Sequence, residues 1–176
     1  MRRGETRTLR TSPPLRSGAP GRPFNANASR TGSAMPTAII LPVIALVLLT
    51  AIVWIRLYVE RIRELRQRRI DPQSLATAAF AAQTLQRVQA SDNFRNLFEM
   101  PVLFYALCVV LTLAESVSPF FVMGAWLYVA LRYIHSFIHL TYNRVTHRFA
   151  VYALSTVILF MLWGALGVQI LLRDAA

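Results

Sequence analysis

The chain has 176 residues, of which 55% are hydrophobic, with a mean hydropathy of +0.44 and a net charge of +11. A soluble domain of this length would be less apolar and more charged, and nothing soluble is left to present a basic face to nucleic acid. The single cysteine, Cys108, excludes an intrachain disulfide and reads as a small buried hydrophobe.

Residues 1–34 are rich in Arg, Pro, Gly, Ser and Thr and poor in large apolar groups. Such a segment cannot bury enough surface to fold alone, so a disordered tail is expected, dispensable for function. A transit role suits its composition, and Met35 is the alternative start of the protein. The domain proper is expected over 35–176. All 19 basic residues are arginine, which is consistent with a GC-rich genome and carries no functional conclusion.

Four apolar stretches follow, Ala38–Ile55, Leu97–Ala114, Phe120–Leu140 and Phe149–Leu172. Each approaches or exceeds the roughly 20 residues that cross a bilayer as a helix. None alternates as a barrel strand does. The reading is an all-α integral membrane protein, a four-helix bundle. The first span is not a cleaved signal peptide, because arginines rather than small residues follow it. Pro42 lies near its expected start, where a missing amide is tolerated.

Arg56, Arg61, Arg63, Arg66, Arg68 and Arg69 crowd the loop after the first span. The positive-inside rule puts that loop in the cytoplasm. The loop at 115–119 has no basic residue and faces the other side. Arg144 and Arg148 return the third loop to the cytoplasm. Asp71-Pro72 marks a helix start, and an alanine-rich helical pattern runs from Gln73 to Ala90. One long second helix is therefore expected, entering the membrane near Asn93 and kinked by Pro101.

Three polar stripes interrupt the apolar helices. They are Asp92/Arg95/Asn96/Glu99, Tyr128/Arg132/His135/His139/Tyr142 and Arg148/Tyr152/Ser155, at three- and four-residue steps. The topology puts all three at one depth, in the cytoplasmic half. Ionisable groups inside a membrane are costly and pair with each other or line a site. Guanidinium forks beside a carboxylate suit a zwitterionic, carboxylate-bearing ligand. The bland alternative is polar packing between helices. His135 and His139, one turn apart, also leave haem or metal ligation open. No third ligand is obvious apart from His147 in the loop, so no metal site is assigned.

Met35 to Leu172 resembles the MAPEG family, membrane-associated proteins in eicosanoid and glutathione metabolism. Arg95-Asn96-Leu97-Phe98-Glu99-Met100-Pro101 looks like its Asn-x-x-Glu signature with a following proline. Arg132-x-x-His135 followed by Arg148-x-x-x-Tyr152 resembles the glutathione-using prostaglandin E synthase branch. The resemblance implies a homotrimer with glutathione as co-substrate, bound between subunits in the cytoplasmic leaflet. It implies that Asn96 and Glu99 hold the glutathione backbone and that Arg95 contacts its carboxylates or supports that contact. Arg132, His135 and Tyr152 would join the site, and Arg148 would be catalytic, stabilising the thiolate. Arg63 or Arg66 would complete the ring. A fixed cation beside a thiol favours its nucleophilic form, and arginine cannot take the proton.

Three positions depart from the family pattern. Asp92 stands where an arginine is common, with Arg87 or Arg95 as substitutes. His139 stands for a tyrosine and Phe149 for a serine. The implied function is a membrane-embedded glutathione-dependent transferase or peroxidase acting on a lipophilic electrophile. The alternative is a non-catalytic lipid- or partner-binding relative. The expected location is multi-pass in a bacterial inner membrane, with the site facing the cytoplasm.

Overall fold

The structure is a computed structural model, described for residues 26–85 and 88–175. Most of the expected tail, and Arg87, lie outside the described residues; 26–34 enter as backbone of the first helix. The elements are α1 (Ala26–Arg68), a 3-10 turn (Pro72–Leu75), α2 (Ala78–Thr84), α3 (Gln89–Asn96), α4 (Met100–Leu113), α5 (Pro119–Leu140) and α6 (Val145–Asp174). No strand occurs among the described residues.

Four helical stretches are long and apolar enough to cross a membrane: Thr37–Arg68, Gln89–Leu113 (α3 with α4), Pro119–Leu140 and Val145–Asp174. The chain is thus an all-α, multi-pass membrane protein. Its outward faces carry large apolar side chains such as Ile44, Leu113, Met123 and Phe160, which lipid tolerates and water does not. Pro42 lies well inside α1 rather than near its start.

α5 is the central helix, packed against α6, α1 and α3. Spacing explains the core. Phe104, Leu107 and Leu111 on α4, and Leu159, Leu162 and Leu166 on α6, are buried at i, i+3 and i+7, one face of each helix. Phe104 stacks on Tyr128 at 4.8 Å between ring centroids. Gly124 lets α5 and α6 approach, since a Cβ there would lie 2.6 Å from a Leu162 methyl. Polar groups tie the helices at several depths. Tyr133 donates to the Ala45 carbonyl at 2.8 Å, and Trp163 Nε1 donates to the Leu103 carbonyl at 3.2 Å.

The long second helix is not continuous. Asp71 caps the 3-10 turn through the Gln73 amide, and Thr77 caps α2 through the Phe80 amide. These side chains favour short, separately started helices over one long one. At Pro101 the chain breaks rather than kinks. α3 ends at Asn96, and Glu99 precedes α4 with φ −94° and ψ −97°. Proline has no amide to give the carbonyl four residues earlier, so the turn before it opens.

Candidate functional site

The break between α3 and α4 frees the Asn96 carbonyl, which accepts a bond from Arg132 Nη2 at 2.9 Å. Arg132 is fully buried on α5. Its guanidinium carbon lies 5.4 Å from the Tyr152 ring centroid, within cation–π range. Its Nε and Nη1 have no partner among the described residues. Arg132 therefore does not line an open site, as the stripe pattern suggested. The rotation of α5 turns it into the bundle, where it supports Asn96 from behind.

A cleft of about 200 Å³ opens on the other side of Asn96, lined also by His135, Val145, Arg148, Phe149 and Tyr152. The short α5–α6 turn builds its basic wall. Asn143 sits in that turn with φ 46°, a left-handed conformation that asparagine tolerates better than most residues. Its amide donates to the Ile138 carbonyl at 2.8 Å, closing the end of α5. Its side-chain oxygen accepts from Arg148 Nη1 at 2.9 Å, and the same nitrogen lies 3.0 Å from His139 Nε2. Arginine only donates, so His139 Nε2 is the acceptor and its proton rests on Nδ1. The guanidinium is thereby fixed at the cleft from two sides.

His135 Nδ1 lies 3.2 Å from the Arg148 backbone carbonyl. A carbonyl only accepts, so Nδ1 carries a proton. Its ring is 5.7 Å from that of Tyr152 and 5.8 Å from that of His139. No group of three or more His, Cys, Asp or Glu side chains gathers to hold a metal among the described residues.

Four of the expected site residues, Asn96, His135, Arg148 and Tyr152, share this cleft. The others separate from it. Arg95 and Asp92 line a different cavity, with Arg61. The reason is helical. Asp92 and Asn96 are about 40° apart around α3, and they straddle the ridge where α3 meets its neighbours. Glu99 stands exposed at the helix break and lines neither space. Arg63 and Arg66 point outward, and Arg61 is the α1 arginine that turns to a cavity. Tyr142 lies past the end of α5, exposed, 3.3 Å from His147. The Ser155 hydroxyl donates back to the Tyr152 carbonyl at 2.8 Å.

Sequence reasoning missed Asn143 and the buried pair Ser136–Asn93, whose side chains meet at 3.2 Å. Asn143 had a signal, a turn-forming residue between an arginine-flanked loop and a helix end. Asn93 had none, because its burial depends on how α3 packs on α5.

The family model of the MAPEG family matches residues 39–168. No curated protein and no solved structure matches the chain. The match runs from the first span into the last and includes every residue of the cleft; the chain belongs to the MAPEG family.

Proposed function

We propose that the protein is a membrane glutathione-dependent transferase or peroxidase acting on lipophilic electrophiles, with Arg148 as the residue that stabilises the thiolate. The observation carrying this reading is the Arg148 guanidinium, held by His139 and Asn143 at a cleft shared with Asn96, His135 and Tyr152. Family membership supports a glutathione-related activity of this kind.

The donor set suits the peptide. Asn96 offers an amide to its backbone, and Glu99, exposed at the helix break, offers a carboxylate to its ammonium group. Tyr152 presents its phenol edge and His135 its ring. When bound, glutathione supplies the nucleophilic sulfur. Arg148 favours the ionised thiol electrostatically and never takes its proton. Arg132 is a positioning residue acting through Asn96.

The cleft is smaller than the roughly 300–1,000 Å³ of a typical small-molecule site, and the side chains of Val145 and Phe149 on its rim are exposed. A second copy closing over this rim would complete it, which supports the homotrimer of the proposal. The arginines of α1 and the α5–α6 turn gather at the cleft's end of the bundle, which supports a cytoplasmic-facing site in a bacterial inner membrane.

A second reading has its own observation. Phe149 lines the cleft with an exposed aromatic ring, which suits a lipid-binding relative without catalysis. Calorimetry of glutathione binding to the detergent-purified protein separates the two. Binding that Arg148→Ala and Glu99→Gln both weaken is expected. A folded oligomer that ignores millimolar glutathione would sink the transferase reading.

A further inference from the structure

A larger cavity, about 430 Å³, lies between α1, the 3-10 turn, α2 and α3. It shares no lining residue with the cleft. Its polar wall carries Arg61, Arg95, Asp92 and two hydroxyl residues, Thr77 and Ser91. Leu57 and Leu85 give it an apolar side.

The charges of this wall are unevenly matched. Neighbouring arginines of α1 are satisfied within the chain. Arg56 holds Glu60 at 2.8 Å and the Leu140 carbonyl at 3.2 Å. Arg68 holds Glu64 at 3.0 Å and the Thr84 carbonyl at 2.7 Å. These pairs take up the α1 carboxylates, and Arg61 between them is left without one. Its Nε is buried with no hydrogen-bond partner among the described residues, a costly state for a donor. Arg95 has no ion pair there either, and none joins Asp92 to either arginine. Two guanidinium groups and one carboxylate thus face a single space.

Depth identifies the ligand class. Trp54 and Tyr58 pack together at 4.8 Å and are exposed on α1, as interfacial belt residues are. Arg61 is one turn further along, about 4.5 Å by helical rise, at the level of lipid phosphates. Arginine forks recognise phosphate in bidentate fashion. Asp92 would repel a simple anion but accepts from an ammonium. The apolar side receives the glycerol end.

We propose that this cavity binds the phosphoethanolamine headgroup of a membrane phospholipid, its phosphodiester between Arg61 and Arg95 and its ammonium against Asp92. The site is independent of the glutathione reading.

The test is native mass spectrometry of the full chain, released from detergent after loading with equal amounts of phosphatidylethanolamine and phosphatidylglycerol. The wild type is expected to retain the ethanolamine lipid at about tenfold preference. Arg61→Gln and Arg95→Gln should each lose retention of both lipids. Asp92→Asn should reverse the preference toward phosphatidylglycerol, a gain that a misfolded protein cannot show. Equal retention by wild type and Arg61→Gln would overturn the proposal, as would an unchanged preference in Asp92→Asn. A parallel titration with soluble O-phosphoethanolamine separates the sources. Binding of that ester without lipid retention would overturn the lipid assignment.

Discussion

Asn143 holds φ at 46° while its side chain accepts from Arg148. Two substitutions separate these duties. Asn143→Ala puts a strained residue in the turn and should cost about 1 kcal/mol of stability. Asn143→Gly removes that strain and should leave stability nearly unchanged. Both lose the acceptor, so both should weaken glutathione binding to a similar extent; calorimetry and denaturation together read the two effects. Arg132 makes the opposite case. It is a buried cation with a carbonyl partner and no carboxylate in contact, and replacing such groups by apolar ones of similar size is often nearly neutral. Arg132→Met should therefore shift stability by no more than about 2 kcal/mol, yet lower glutathione affinity about tenfold by releasing Asn96. A large loss of stability with unchanged affinity would contradict that division. The residue types of the cleft were legible through the spacing of Asn96, His135, Arg148 and Tyr152. The inward turn of Arg132 was not, because helix rotation is set by packing partners far away in sequence.

The broken second span shows the same limit at the level of elements. Pro101 announced a disturbance, and hydropathy found the span, since the bilayer demands apolar length whatever the detail. The size of the disturbance depended on Arg132, a residue of another helix, being present to satisfy the freed Asn96 carbonyl. Pro101→Ala would restore an amide at that position and let α3 and α4 join. The expected outcome is unchanged or raised thermal stability with weaker glutathione binding, as Asn96 is drawn back into a regular helix. The alanine-rich stretch before it misled for another reason. Helical composition cannot show that Asp71 and Thr77 each start a new element. Between α5 and α6 the close approach rests on Gly124. Gly124→Ala drives a methyl into Leu162 and should lower stability by about 1 kcal/mol or more, an overpacking cost only partly offset by helix propensity; a thermal melt in detergent measures it.

At the level of the molecule, the outward faces of four spans are apolar and the cleft is open on one side. Gly164 and Gly167 on α6 have open space where a side chain would go, leaving room for another helix to approach closely. Gly167→Leu should therefore weaken self-association on sedimentation in detergent, and glutathione binding should fall with it. Binding that survives in a clean monomer would contradict the shared-cleft proposal. The oligomer itself was legible only through family resemblance, because an apolar face reads alike whether lipid or protein covers it. The α5–α6 turn, finally, bears on inheritance within an assembly. The partners that orient Arg148, His139 and Asn143, belong to the same hairpin as Arg148 itself. Each subunit thus sets its own cationic wall before it meets a neighbour. In mixed oligomers of wild-type and Arg148→Ala chains, activity should fall in simple proportion to the mutant fraction, with no dominance of the defective copy over the sound ones.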